Sequence, residues 1–521
     1  MSDDPPNVLF LLSDEHSFRY QSRLDPSVEG EPVSTPTLDS LAETGATFER
    51  TYCQVPICSP SRMSILTGNY AADCGVYNNG DVLQAATRTL PETLGANGYQ
   101  TCLVGKMHFS GDRQYAGFDH RPYGDHTGGA NSHQADPPTP GREHGLSDMR
   151  SRTADAGVTQ IPESLHQEQN VAQETISFIR EQEHRNPDDP WFTCASFSRP
   201  HFPLTAPRRY FEKYWPENVT EPKVGDEGDA ATHPMIEAIQ DTFDADEIDG
   251  EENLRARAAY FAAVDYLDEV IGDMLGTLRD EGLLENTVII YTSDHGELAG
   301  EHGHWWKHSW FESSVRVPWH VQLPDHRDGS LDPASISTPV SLLDLYPTLC
   351  GLLDIEAPPD LDGFDLSNAV LNGSEPERGP VICDNFSRLW GDDLIYRMVI
   401  DGDYKYVQFS DAPELLFDIR EDPSETTNLA AAGDGEYGDI LKRLRGTVDD
   451  SIDFDALVAQ RAEDAEFSEE RSLGIPHGSG NIYHLPDGRL VDAGNVLYGS
   501  SVIADDPSTI FADWPQTEEG E

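Results

Sequence analysis

Lysine is scarce in this chain. Of 35 basic residues only six are lysines (Lys106, Lys213, Lys223, Lys307, Lys405 and Lys442), against 94 Asp and Glu, for a formal charge of −59. That deficit excludes a nucleic-acid binder, whose affinity comes from Lys and Arg neutralising phosphates, and anionic lipid repels such a surface as well. No nucleic acid and no membrane are expected as partners. Long apolar runs are also missing. The stretch Val8 to Leu12 is too short for a membrane span or a signal-peptide core, and no basic residue precedes it. The expectation is a chain without anchor or export signal, hence cytoplasmic. The seven cysteines (Cys53, Cys58, Cys74, Cys102, Cys194, Cys350 and Cys383) are an odd set without a C-x-x-C pair. A chain of this length needs no covalent staples, so a reducing compartment and no structural zinc are expected.

Core material is plentiful: 37% of residues are hydrophobic, with 8 Trp, 19 Tyr and 20 Phe, which argues for a folded chain despite its charge. The lysine-poor acidic composition fits a halophilic protein, since concentrated salt screens self-repulsion. A length of 521 residues suits one large α/β domain plus a smaller one, or about three domains.

The run from Asn7 to Ser13 is nearly all apolar, the pattern of a strand buried on both faces of a parallel sheet, and Asp14 and Glu15 follow it. The same arrangement recurs where Thr287 to Thr292 leads into Ser293, Asp294, His295 and Gly296. In open α/β sheets ligands lie outside the carboxyl ends of the strands, so Asp14 and Asp294 can share one site; each is equally readable as a turn or cap residue. Between them the chain alternates. Leu90 to Asn97 reads as a helix, Gln100 to Val104 as a strand entering Gly105-Lys106-Met107-His108, and Leu254 to Leu278 as a long amphipathic helix. This predicts an α/β fold with a largely parallel sheet. Two stretches read as excursions: 111–160, with His120, His126, His133 and His144 lining or covering a pocket, and the acidic run 225–252. Beyond about Pro376, short segments at Leu394 to Ile400, Tyr404 to Phe409 and Leu415 to Asp418 predict a smaller antiparallel unit. The expected division is 5–375, 376–465 and an acidic, Gly- and aromatic-containing tail, 466–521.

One segment carries the chemistry. In Val55-Pro56-Ile57-Cys58-Ser59-Pro60-Ser61-Arg62, running on to Gly68, Ser59 reads as an N-cap, Pro60 as a first-turn residue and Gly68 as a stop. Cys58 then sits at the mouth of a short helix, where backbone N–H groups favour anions, with Arg62 about one turn further in. Taken alone, such a cysteine is more often an inert, small buried hydrophobe than a catalytic group.

C-S-P-S-R followed by M-S-I-L-T-G resembles the type I sulfatase signature, whose core is C-x-P-x-R. Further blocks follow in order from about residue 7 to 430: N-V-L-F-L-L-S-D, T-P-T-L-D-S-L-A, G-K-M-H, S-R-P-H-F-P, S-D-H-G-E, W-K-H-S-W-F-E with V-R-V-P, and K-Y-V with D-P-S-E-T-T-N-L. G-K-M-H-F and the D-H pair are most similar to the choline-sulfatase-like and phosphonate-monoester-hydrolase-like branches of the alkaline phosphatase superfamily. The resemblance implies an alkaline-phosphatase-like mixed, mostly parallel sheet between helices, with a small C-terminal antiparallel sheet domain. It implies a sulfuric ester hydrolase acting on a small-molecule sulfate ester, with Cys58 converted to formylglycine by a formylglycine-generating enzyme. Asp14, Asp294, His295 and the residue made from Cys58 would hold one divalent cation, Ca²⁺ before Mg²⁺ or Mn²⁺. Arg62 would hold the site in register, Lys106 would face the sulfate oxygens, His108 would be the base that releases sulfate, and His201 and Lys307 would assist the leaving group. Where many sulfatases carry a second Asp and an Asn, this chain has Glu15 and His295. Alternatives are a phosphonate monoester or phosphodiester hydrolase with the same site, and a catalytically silent binding protein of the same fold. A choline ester would call for an aromatic cage, to which Trp305, Trp306 and Trp310 could contribute; Asn78 and Asn79 read as substrate binders or as a turn. A homo-oligomer is compatible with the resemblance.

Overall fold

The computed structural model describes residues 5–111, 113–124, 150–159, 161–225, 228–243, 245, 248–432 and 435–471, together with short strands at 482–484 and 490–492. His126, His133 and His144, and most of the tail, lie outside the described residues; His120 packs against Phe178 on an edge strand.

Eight strands form the central sheet, in the spatial order Ala334–Ile336, Ala46–Phe48, Trp319–Gln322, Thr287–Ser293, Asn7–Asp14, Trp191–Pro200, Gln100–Gly105 and His120–Tyr123. Neighbours run parallel except on the two sides of Trp319–Gln322. The unbroken apolar run at Asn7–Asp14 has its cause in this position. Val8, Phe10 and Leu12 enter one core and Leu9 and Leu11 the other, so both faces of the strand are covered. The helix Gly250–Asp280 lays Phe261, Val264, Ile271 and Leu275 on the second face. It begins earlier than the apolar stripe suggests, because Asp249 accepts the Glu252 N–H and two glutamates occupy the first turn. The acidic excursion before it also contains a helix, Pro234–Phe243, whose Met235, Ile236 and Ile239 are buried.

Asn7 pairs with Thr287 and so on to Ser13 with Ser293. Asp14 and Asp294 therefore leave the sheet side by side.

The C-terminal sheet is four-stranded and antiparallel, Val381–Asn385, Tyr396–Asp401, Tyr404–Phe409 and Leu415–Asp418 in order. Its second strand starts later than the hydropathy suggests, because 392–394 forms a 3-10 turn. This sheet shares a hydrophobic core with one face of the central sheet, and the fully buried ammonium of Lys405 lies 2.6 Å from Glu312, 2.7 Å from Glu425 and 3.0 Å from the Trp310 carbonyl.

Two outcomes are expected. Lys405→Met leaves Glu312 and Glu425 facing each other in the interior, so denaturant unfolding should show a loss of about 3–5 kcal/mol. Burial, opposed by Lys405 and reinforced by Glu312, pushes the Glu425 carboxyl up to about 7. A raised carboxyl contributes stability that is full below its ordinary range and lost as pH rises through about 7. Melting temperature should therefore fall more steeply between about pH 5 and 8 in the native protein than in Glu425→Gln.

Candidate active site

The helix Cys58–Thr67 is buried along its whole length and ends at Gly68, whose φ of 69° gives the left-handed stop. Its start differs from the sequence expectation. Cys58 is already helical, Ile57 is the cap position, and the Ser59 N–H is taken by Asn79 Oδ1 at 2.9 Å. The Ser59 hydroxyl instead donates to the His108 carbonyl at 3.0 Å, tying the Cys58 helix to the loop after Gln100–Gly105. Asn79 is thus a capping group, and Asn78 is held by the Ser387 hydroxyl at 2.8 Å; both sit in structural bonds.

Asp14, Cys58, Asp294 and His295 come together, with their ligand atoms all within 4.8 Å of one another and all four residues buried. His295 Nε2 is 3.2 Å from Cys58 Sγ, and its Nδ1 bonds the Gly296 carbonyl at 3.0 Å, which turns Nε2 toward the cluster. Arg62 bridges the two aspartates. Its Nε donates to Asp294 at 2.8 Å and Nη2 to Asp14 at 3.0 Å, while Nη1 donates to the Lys106 carbonyl at 2.7 Å and Ser196 Oγ at 2.9 Å. Burial raises the Asp294 pKa, with Asp14 adding to it, whereas Lys106, His201 and Arg62 overcome burial and the Cys58 charge to hold Asp14 well below the carboxylate range. Although burial disfavours its charged form, Asp294 and Cys58 push His295 up to about 10. Two carboxylates, a thiol and an imidazole that compete for positive charge are a donor set that fits a divalent cation.

Lys106, His108, His201 and Lys307 surround this cluster. Gly105 precedes Lys106 with φ 95°, and a Cβ there would come within 2.1 Å of the Ser196 carbonyl, so only glycine lets the strand turn Lys106 onto Asp14. His108 bonds the Cys58 thiol. Lys307 Nζ lies 3.0 Å from Glu15 and His201 Nε2 lies 3.4 Å from the other oxygen of Glu15. Burial raises the Cys58 pKa, but Lys307, Lys106 and His295 outweigh it and hold the thiol well below its ordinary value. The expected residues all meet.

The Glu15 carboxylate lies beside Lys307 and His201, and Asp14, Glu15 and His201 form a second group whose ligand atoms lie within 4.8 Å of one another. Sequence reasoning missed the partner of Glu15, Glu297, a buried carboxyl whose pKa is raised well above normal by burial and by Glu15. Glu297 accepts the N–H groups of Ala299 and Trp306 at 2.7 and 2.6 Å, fixing the turn that carries Lys307. The small sheet braces the same turn, with Asn385 donating to the His308 carbonyl at 2.6 Å. Four site residues, Glu15, His108, Trp306 and His308, hold φ values of 67°, 61°, 72° and 80°, a region that L side chains occupy at a cost of about 1 kcal/mol or more and that clusters at functional sites. Of the three expected aromatics only Trp306 lies against this site, next to Phe202. Trp305 bonds Asn253, and Trp310 packs against Phe409 and Tyr396.

A family model described as Sulfatase matches residues 6–355, and one described as N-sulphoglucosamine sulphohydrolase, C-terminal, matches 300–453. Among curated relatives, a choline-sulfatase of Rhizobium meliloti is 33% identical over 447 residues, covering 82% of this chain and 83% of its own. An arylsulfatase of Clostridium perfringens is 29% identical over 467 residues, covering 84% and 93%. Among solved structures, a phosphonate monoester hydrolase of Agrobacterium radiobacter superposes with a TM-score of 0.71 at 25% identity, over 94% of this chain and 99% of that one. A protein solved with its substrate D-glucosamine-2-N,6-O-disulfate gives 0.68 at 22%, over 88% and 99%, a likeness of fold. With an alkaline-phosphatase-like sheet, the C-x-P-x-R motif and this coverage together, the chain belongs to the sulfatase family and is a sulfatase enzyme.

Proposed function

We propose that this protein hydrolyses a sulfate monoester to an alcohol and inorganic sulfate, using the hydrate of a formylglycine made from Cys58. The observation that carries this reading is the placement of Cys58 Sγ, 3.2 Å from His295 Nε2 and beside Asp14 and Asp294, with the cations of Lys106 and Lys307 acting on it. The modification calls for a formylglycine-generating enzyme as partner, and the catalytic unit is assigned to 5–375 with 376–465 as its companion.

A divalent cation, Ca²⁺ by its hard oxygen donors, held by Asp14, Asp294, His295 and residue 58, would supply the Lewis acidity that lowers the pKa of the attacking hydroxyl. The hydrate supplies two hydroxyls on one carbon. The first loses its proton to water and bonds to sulfur as its oxyanion while the bond from sulfur to the alcohol oxygen breaks, and Lys307 and His201 supply the departing oxygen with its proton. His108 then takes the proton of the second hydroxyl, so that the carbon–oxygen bond to sulfate breaks and the carbonyl re-forms, to be hydrated again by water. Lys106 and Lys307 face the sulfate charge throughout, and Arg62 keeps both aspartates in register. A second reading, cleavage of phosphonate monoesters or phosphodiesters in the same site, draws support from the phosphonate monoester hydrolase likeness at 25% identity.

Mass spectrometry of the peptide carrying Cys58, from protein made in its native host, should show a loss of about 18 Da from thiol to aldehyde. The modified protein should release sulfate from aryl or alkyl sulfates faster than it cleaves the matched phosphonates; the opposite order favours the second reading, and an unmodified thiol in active protein overturns the mechanism. Arg62→Lys cannot bridge two carboxylates with one planar fork, so kcat/KM should fall by about 100-fold or more, measured as sulfate release per folded enzyme.

A further inference from the structure

Asp14, Cys58, Asp294 and His295 are buried, whereas His108 to Ser110 and His201 to Pro203, which follow two strands of the central sheet, are half-buried. Two aromatic rings neighbour the proposed leaving-group residues in sequence and form a wall beside them. Phe202 follows His201 with ring centroids 3.8 Å apart, Trp306 precedes Lys307, and the two rings meet edge to face at 5.8 Å. Lys307 Nζ lies 5.7 Å from the Phe202 ring.

Arg152, from the helix Arg150–Ala154, crosses over this wall. Its guanidinium carbon is 3.6 Å from the centroid of Phe202 and 5.1 Å from that of Trp306, and the charges acting on it are those of Glu15, Glu297 and Cys58. Lys106 and Lys307 each have a carboxylate, Asp14 and Glu15, within ion-pair distance. Among the described residues Arg152 has neither an ion-pair nor a hydrogen-bond partner. Acid is not in short supply, with 94 Asp and Glu in the chain for 35 Lys and Arg. An arginine that stacks its planar face on rings turns its N–H edge away from them, and that edge matches a planar carboxylate or a sulfate.

Resting on the sulfatase reading above, we propose that Arg152 determines specificity: it binds a second anionic group, a carboxylate or sulfate, on the alcohol part of the ester, whose body lies against Phe202 and Trp306, and it disfavours alcohols bearing a cation. The placement of Arg152 rather than the presence of aromatic rings decides the sign. A quaternary ammonium needs ring faces that no other cation occupies, and here the Phe202 face is taken.

The test compares three esters on native enzyme, Arg152→Ala and Arg152→Lys: 4-carboxyphenyl sulfate, 4-nitrophenyl sulfate and choline sulfate. Because the ratio of kcat/KM between two esters is independent of the fraction of folded or modified enzyme, a variant that folds poorly remains informative. Arg152→Ala should lower the carboxyphenyl-to-nitrophenyl ratio about ten- to hundredfold, the size of one charge-assisted contact, and raise the choline-to-nitrophenyl ratio. Arg152→Lys should restore part of the first ratio. Ratios unchanged by Arg152→Ala, with native enzyme active, overturn this inference and leave the sulfatase reading intact. Native enzyme inert toward every sulfate overturns the sulfatase reading and, with it, this assignment.

Discussion

The guanidinium of Arg62 is the contact on which the site depends. Two parallel strand ends deliver Asp14 and Asp294 to one point, with Ser196 of the neighbouring strand within reach, and the two buried carboxylates there repel each other in a medium that screens little. Arg62 answers both at once, and its remaining N–H bonds reach the Lys106 carbonyl and Ser196 Oγ. Because it comes from the same short helix as Cys58, the position of Cys58 is fixed relative to both aspartates and to the strand before Lys106. A planar fork with five donors can do this where an ammonium cannot. The spacing of C-x-P-x-R follows from the geometry: four residues are about one helical turn, which sets the cysteine at the open end and the arginine below it.

Much of this was legible in the sequence because the signals were periodic or local. Both apolar runs ending in Asp14 and Asp294 read as buried parallel strands, and the register that pairs Ser13 with Ser293 puts the two aspartates where strand-end logic placed them. The helix mouth at Cys58 was legible too, though not its cap, since Asn79 arrives from outside the segment. What the sequence hid were contacts made by residues whose own neighbourhood is unremarkable in pattern. Glu297 looks like one more acid in an acidic chain until its backbone partners, Ala299 and Trp306, are seen. Trp305, Trp306 and Trp310 look equivalent in sequence, but Trp305 and Trp306 pack in one core cluster and Trp310 in the other, on the two sides of a turn with Trp306 and His308 in left-handed conformations. Arg152 follows a stretch without hydropathy pattern, and only its place over Phe202 distinguishes it.

The small sheet is tied to the site by more than proximity. Asn385, at the end of its first strand, holds the carbonyl of His308, next to Lys307. Lys405, in its third strand, draws in Glu312 just after the Trp-Lys-His turn, and Glu425 accepts the Glu312 N–H at 2.7 Å. The turn carrying Lys307 is therefore clamped on one side by Glu297 and from the small sheet by Asn385, with the Lys405 ion cluster behind it. A strained turn of this kind persists only when several independent contacts over-determine it.

The placement of cations also explains how so acidic a chain can receive an anion. Two of its six lysines, Lys106 and Lys307, lie in the site with Arg62 and Arg152, and Lys405 holds the two sheets together. A formal charge of −59 opposes the approach of a sulfate ester at low ionic strength, but at about 1 M salt the screening length falls to about 3 Å. The surface then exerts little force beyond contact, whereas buried groups are screened much less and keep their field. Attraction inside the pocket is retained while repulsion outside it is removed, so the same composition that penalises binding in dilute buffer ceases to do so in concentrated salt.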